Sequence, residues 1–263
     1  VVFAIISTVW FLLCIAKLVL VFEDMNALNA NNFDVFLGVN LGSPCISTAS
    51  LILIAFYHTN TLPPTNVLIN TFVTTIMTFG YLASWLCFGV NLSMIAVKQY
   101  ADLSQLQFGL VTYAFIDCVL ICTQFGMIAL ESSWFLMNKR AELAHMEQGP
   151  PLSTLVNSVI FLALVTSIVQ ILKIIVIGIH WPLSNDATNV FGVISAMFTL
   201  CNTVVYITYN PSMKIDIVPG TAFLVLFSTA NLLVWASAGS SILMMELESK
   251  ESYQMLFGLD VAT

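Results

Sequence analysis

Long apolar stretches separated by short polar segments run along the whole chain. Each stretch holds about 20 residues or more, the length that an α-helix needs to cross the hydrocarbon core of a bilayer. Because open sheet edges are not stable in lipid, the stretches predict helices rather than strands. They lie at about residues 1–22, 35–57, 67–97, 108–137, 152–179, 188–209 and 220–245. The predicted fold is all-α: one polytopic transmembrane helical bundle over residues 1–263, with about seven membrane-spanning helices and no obvious internal repeat.

Composition places this bundle in the bilayer. Hydrophobic residues make up 59% of the chain and charged residues 8%, and the mean hydropathy is +0.96. Soluble domains carry roughly 25% charged residues. We therefore expect an integral membrane protein whose partner is the lipid bilayer. The net charge of -7, without a cluster of Lys and Arg, argues against nucleic acid as a partner.

The chain lacks the short motifs of familiar enzymes and metal proteins. Its six cysteines fall inside apolar stretches and show neither a disulfide framework nor the spacing of a metal site. Nucleotide-binding loops, zinc-protease motifs and dinucleotide fingerprints are also missing from the sequence. We expect no enzymatic activity, no metal and no cofactor.

A polar stripe in the fourth stretch is the strongest functional signal. Asp117, Gln124 and Glu131 follow one another at intervals of nearly two helical turns and therefore share one face of the helix. A carboxylate in lipid is costly, so this face should point into the bundle or into a wet cavity. An acid, an amide and a second acid in line suit a proton or cation relay, in which Gln124 bridges the acids through water. The alternative is a stripe that only forms hydrogen bonds between helices.

Charged groups in other stretches extend the relay hypothesis. Lys173 lies deep in the fifth stretch and requires a carboxylate, for which Asp117 or Glu131 on the preceding helix are the natural candidates. Lys17 is expected to snorkel towards the interface or to pair with Asp24. The other candidates are an acid that gathers protons at the pathway mouth (Glu23), two pH-sensing histidines (His58, His180) and four helix-contact residues (Asn202, Tyr206, Asn231, Trp235).

Residues 214–258 resemble the eleventh helix of otopetrin proton channels. The shared pattern is a basic residue, a short apolar run, Asn231, Trp235 one turn later, and then an acid near the helix end, here Glu246 or Glu248. An aromatic residue followed by glycine comes after them in both. The first apolar stretch similarly looks like the fifth helix of that family, which also closes on an acidic residue.

The resemblance implies a fold, an activity and an assembly. Otopetrins have twelve helices in two pseudo-equivalent halves, form homodimers and conduct protons selectively when acid opens them. This chain would correspond to helices five to eleven and so to a fragment of a longer channel. Glu23 would match the acid at the outer end of the fifth helix, and Asn231 and Trp235 the pair at the contact between halves.

The predicted function is a proton-selective or cation channel of the plasma membrane, assembled as a homo-oligomer. The pathway would contain Asp117, Gln124, Glu131, Lys173 and Glu23. A seven-helix chemosensory receptor is the first alternative. The few basic residues in the loops favour a cytoplasmic N-terminus and an external C-terminal segment, which is the opposite of receptor topology. A structural subunit of a larger membrane complex is the second alternative.

Overall fold

The computed structural model describes residues 2–30, 33–58, 67–97, 109–145, 153–208 and 217–263. Within these ranges the chain forms eight α-helices and no strand, which confirms the predicted all-α fold. The helices are α1 (Val2–Ala30), α2 (Asp34–His58), α3 (Val67–Ala96), α4 (Leu110–His145), α5 (Ser153–Ile179), α6 (Asp186–Thr208), α7 (Ile217–Glu248) and α8 (Glu251–Ala262).

Helices α1 to α7 are each long and apolar enough to cross a membrane, with candidate spans of 19 to 25 residues. Their outer faces expose large apolar side chains, among them Leu12, Phe161, Ile168 and Ile179. Soluble proteins rarely expose apolar patches of this extent, whereas lipid tails cover them at no cost. The chain is therefore an integral membrane protein, and the prediction of about seven spanning helices is confirmed.

The C-terminal segment forms a short helix that packs on the bundle. The chain reverses at Ser249, which has a positive φ of 49°, and α8 then packs against α5 and α7. Tyr253, Leu256 and Asp260 of α8 are buried in these contacts. The apolar pattern does not predict α8, because this helix of 12 residues is shorter than a membrane span and carries acids near both ends.

The helices pack in two groups of four. In the first group, unit 1, α1 contacts α2, α2 contacts α3, α3 contacts α4, and α4 returns to α1. In the second group, unit 2, α5, α6, α7 and α8 contact one another in the same cyclic order. The two units meet mainly along α3 and α7, and the largest apolar cluster lies beside this contact, with Trp10, Trp85 and Leu232 among its members.

Two glycines bring the backbones of α3 and α7 together. A Cβ atom added to Gly89 would overlap the carbonyl group of Ala236, and one added to Gly239 would overlap the carbonyl group of Leu86. Small residues permit such close approach between helices in lipid, where van der Waals packing drives association. The contact between the units is thus fixed by positions that tolerate no side chain.

Candidate functional site

A buried ion pair joins α1 to α4 in unit 1. Lys17 Nζ donates to Asp117 Oδ1, and the two side chains are 0% and 1% exposed. Lys17 Nζ also donates to Cys87 Sγ of α3 at 3.1 Å. A charge buried in an apolar medium is tolerated when it is paired and hydrogen-bonded, and this geometry meets both conditions.

Two asparagines complete the surroundings of this pair. Asn91 Nδ2 of α3 donates to the second carboxylate oxygen of Asp117 at 2.5 Å. It also donates to Asn40 Oδ1 of α2 at 3.0 Å, and Asn40 Nδ2 donates back to Asn91 Oδ1 at 2.9 Å. We refer to Lys17, Asn40, Cys87, Asn91 and Asp117 as cluster A. All four helices of unit 1 contribute a side chain to cluster A.

A second buried ion pair joins α5 to α8 in unit 2. Lys173 Nζ donates to Asp260 Oδ1, and both side chains are 0% exposed. The same ammonium group donates to Ser195 Oγ of α6 and to Ser237 Oγ of α7, each at 2.8 Å. We refer to Lys173, Ser195, Ser237 and Asp260 as cluster B. All four helices of unit 2 contribute to it.

The stripe on α4 faces the bundle interior, as predicted. Asp117 is 1% exposed and Gln124 is 0% exposed. Neither amide atom of Gln124 has a hydrogen-bond partner among the described residues. Two turns further on, the Glu131 carboxylate accepts a hydrogen bond from Tyr81 Oη of α3, with 3.5 Å to either oxygen.

The same face continues towards the start of α4. Tyr113 Oη donates to Asp24 Oδ2, at the end of α1, with a distance of 3.0 Å. At 1.5 Å of rise per residue, the interval from Tyr113 to Glu131 covers about 27 Å, close to the thickness of the hydrocarbon core. Polar side chains therefore recur at intervals along this face over most of the thickness of the bilayer.

Both predicted partners of the buried lysines are wrong. Lys173 pairs with Asp260 and not with Asp117 or Glu131, because in the described residues α5 packs chiefly on α6 and α8. Lys17 pairs with Asp117 and neither snorkels nor reaches Asp24, because its helix packs directly on α4. Sequence neighbours in the chain are thus not the partners of either lysine.

The remaining candidates lie away from the two clusters. Glu23 and His180 are exposed at the ends of α1 and α5. Asn231 is exposed and donates to the Phe227 carbonyl of its own helix at 2.9 Å, while Trp235 packs partly buried against the largest apolar cluster. Asn202 is buried, and its Nδ2 donates to the Leu226 carbonyl of α7 at 3.2 Å, which fits the predicted helix contact. The side chains of His58 and Tyr206 lie outside the described part.

Sequence reasoning missed the asparagines and the second acid. Asn40 and Asn91 stand as isolated polar residues in apolar stretches, and only their mutual contact shows their role. Asp260 follows the apolar run Met255, Leu256, Phe257, Gly258 and Leu259. A charged residue embedded in an apolar run indicates a buried partner of opposite charge, and both Asp260 and Lys17 stand in such runs.

The fold and the clusters define a class: a polytopic helical membrane protein with two ion pairs inside its bundle. In the described residues, no group of three His, Cys, Asp or Glu side chains is arranged to hold a metal ion. No family model, curated protein or solved structure matches the chain.

Proposed function

We propose that the chain conducts protons, or another small cation, across the membrane along the inward face of α4. One observation carries this proposal: Asp117 and Gln124 are buried and Glu131 is half-buried along one face of α4, and neither amide atom of Gln124 has a hydrogen-bond partner among the described residues. Polar residues inside spans typically mark ion pathways and proton relays. In a stripe that served only to hydrogen-bond helices together, the polar atoms would be paired. Neither amide atom of Gln124 has such a partner in the described part of the chain.

Each polar group has a distinct task in this pathway. Glu23 gathers protons at the mouth, and the Tyr113 hydroxyl connects this end of α1 with the stripe. Asp117 and Glu131 take up and release protons. Gln124 bridges them through water, since its amide both donates and accepts. His58 and His180, at helix ends, tune the response to pH.

The finer assignment as an otopetrin-like channel, a homodimer and a plasma-membrane protein belongs to the same proposal. It is supported by the resemblance of residues 214–258, and by the position of α7 at the contact between the two units. The chain packs in units of four helices, whereas the resemblance implies halves of six. The conduction proposal therefore rests on the α4 stripe and not on the resemblance.

Proton flux into liposomes tests the pathway. Purified protein is reconstituted with a pH-sensitive dye inside the vesicles, and flux is followed under an imposed pH gradient. We expect the D117N/E131Q variant to lose at least about tenfold in flux, because Asn and Gln have nearly the same shape as the acids but do not ionise. E131Q alone leaves the Lys17–Asp117 pair intact and should also lower the flux.

The matched control is E251Q, which neutralises an exposed acid at the start of α8. It should conduct like the unmodified protein. Each variant is compared by monodisperse elution and thermal unfolding in detergent, so that loss of fold is not mistaken for loss of conduction. Flux that survives in the folded D117N/E131Q variant would overturn the relay. Absence of flux from the folded unmodified protein would leave the stripe as hydrogen-bonding contact between helices.

A further inference from the structure

The two units carry the same ion pair on corresponding helices. In unit 1 the lysine lies on the first helix and the aspartate on the fourth, as Lys17 and Asp117. In unit 2 the order is the same, with Lys173 on the first helix and Asp260 on the fourth. Charged residues are rare inside membrane proteins. Two fully buried pairs with the same order and placement therefore indicate that the units share one plan.

The partners of the two lysines also correspond. On the third helix of each unit, the ammonium group donates to a side chain with one heteroatom at the γ position, Cys87 Sγ in unit 1 and Ser237 Oγ in unit 2. On the second helix, Asn40 belongs to cluster A, and Ser195 belongs to cluster B. The second helices differ in one respect: Ser195 bonds directly to Lys173, whereas Asn40 reaches the ion pair of unit 1 only through Cys87 and Asn91.

The sequences of α3 and α7 agree with this correspondence. The shift in residue number that relates Cys87 to Ser237 brings five residues of α3 onto identical partners in α7. They are Thr71 with Thr221, Leu82 with Leu232, Trp85 with Trp235, Gly89 with Gly239, and Met94 with Met244. We expected no obvious internal repeat from the sequence, and this agreement favours one. It escapes notice in the sequence because few residues are identical and the connections between helices differ in length.

The contact between α3 and α7 is symmetric under the same shift. Leu86 corresponds to Ala236, just as Gly89 corresponds to Gly239. The close approach of Gly89 to the Ala236 carbonyl and that of Gly239 to the Leu86 carbonyl are therefore one contact made twice. A two-fold axis between the helices produces such an exchange. The residues of this symmetric contact are separate from those of the two ion pairs.

The direction of the axis follows from a second contact. Ser93 Oγ donates to Ser240 Oγ at 2.5 Å, one turn beyond the Gly89 and Ala236 contact on both helices. The two helices consequently run in the same direction. An even number of helices in each unit returns the chain to the starting side, so the units are parallel repeats about an axis along the membrane normal. Several transporter folds are built from repeats related in this way.

We infer that the chain holds two copies of one four-helix unit, and that cluster B is a second proton-exchange site equivalent to cluster A. The exchange part of this inference rests on the proposed function. In each site a proton on the aspartate breaks the ion pair. The lysine then keeps the acceptors of the other helices, which are Cys87 in cluster A, and Ser195 and Ser237 in cluster B.

Paired neutralisation of each cluster in the liposome assay tests the second site. The variants are K173Q/D260N for cluster B and K17Q/D117N for cluster A, each of which removes both charges and leaves no buried charge unpaired. The control is K250Q/E248Q, which neutralises an exposed lysine–glutamate pair with 2.6 Å between Nζ and Oε2. We expect at least a fivefold loss of flux in both cluster variants and none in the control. D260E, which keeps the carboxylate, should retain more flux than D260N.

The outcomes separate the second site from the α4 pathway. Unchanged flux in folded K173Q/D260N, with flux lost in K17Q/D117N, would overturn the second site and keep the pathway. Flux lost in K173Q/D260N alone would support exchange at cluster B and count against the pathway along α4. No flux from the folded unmodified protein would overturn both. If K173Q/D260N does not fold, the apolar double variant K173M/D260L decides, since unchanged flux in folded K173M/D260L would exclude exchange at Asp260.

Discussion

Clusters A and B place the same ion pair in two different polar environments. In cluster A, the amides of Asn40 and Asn91 bond to each other, and the Asn91 amide also donates to the Asp117 carboxylate. In cluster B, the donors and acceptors around Lys173 are serine hydroxyls. The position of Asn91 is taken in α7 by Ser241, and the Ser241 hydroxyl has no hydrogen-bond partner among the described residues.

This difference indicates which groups the two clusters have in common and which groups vary. The lysine and the aspartate are the constant parts, and so is a γ-heteroatom on the third helix. The groups that hold the carboxylate vary, because an amide offers two donors and an acceptor whereas a hydroxyl offers one donor. Cluster A is therefore the more extensively bonded of the two, and its aspartate has both oxygens engaged.

The largest effect is expected when one member of a buried pair is removed. K17M leaves the Asp117 carboxylate buried without its counter-charge, which typically costs about 3–5 kcal/mol. K173M should cost an amount of the same order, through Asp260. Thermal or SDS-induced unfolding in detergent measures both losses.

The double variants K17M/D117L and K173M/D260L separate pairing from burial. Replacing a buried ion pair by apolar residues of similar size is often close to neutral. Each double variant should therefore be more stable than the matching single variant. A double variant that loses the sum of two large single losses would show that the pair is not coupled, and that the clusters are not alike.

The next largest loss of stability is expected from substitutions at the contact between the two units. G89A and G239A each place a methyl group against a backbone carbonyl, which cannot move aside as a flexible side chain would. Overpacking of this kind costs about 1–3 kcal/mol. The two losses should be similar if the contact is symmetric, and thermal unfolding in detergent compares them.

The controls for this comparison are G38A and G258A, at helical positions where an added Cβ atom meets nothing within 4 Å. In open helical positions alanine is favoured over glycine by roughly 0.5–1 kcal/mol. A loss in G89A without a comparable loss in G239A would break the symmetry of the crossing and weaken the argument for two copies of one unit.

The Asn91 amide of cluster A and the Ser241 hydroxyl at the corresponding position of α7 test the difference between the clusters further. N91A removes a donor to Asp117 and the two hydrogen bonds between Asn91 and Asn40, so we expect a loss of about 1–3 kcal/mol. S241A removes a hydroxyl that bonds to no described residue, and little change is expected. Equal losses in the two variants, measured by thermal unfolding, would contradict the description of Asn91 as the added element of cluster A.

Much of the fold follows from the sequence, and less of the site does. The length and apolarity of the stretches are local properties, so they predict the spans of α1 to α7. The inward direction of the Asp117 and Gln124 face is also local, since it follows from helical periodicity and the cost of burying charge in lipid. The partner of a buried charge is not local, because it depends on which helices touch.

Lys173 shows this limit most clearly. Its sequence neighbours on α4 offered two acids, yet its partner Asp260 lies in the last helix. The sequence did not indicate Asp260 as the partner, because α8 is shorter than a membrane span and follows the predicted last helix. The proposed repeat would have predicted Asp260, because a unit with lysine on its first helix implies an aspartate on its fourth helix.

The exposed pair of Lys250 and Glu248 should show the smallest effect. Lys250 is 56% exposed, and ion pairs in such surroundings contribute within about 1 kcal/mol. The hydrogen bond to Glu248 raises the pKa of Lys250 above its ordinary value. Any contribution is therefore present at neutral pH and is lost only as the pH rises through the raised pKa of the folded state. K250Q, followed by thermal unfolding at neutral and at strongly alkaline pH, measures it. If K250Q lost as much stability at neutral pH as K173M, the free-energy cost of breaking an ion pair would not depend on its burial. The expected difference between the buried clusters and the surface pair would then be wrong.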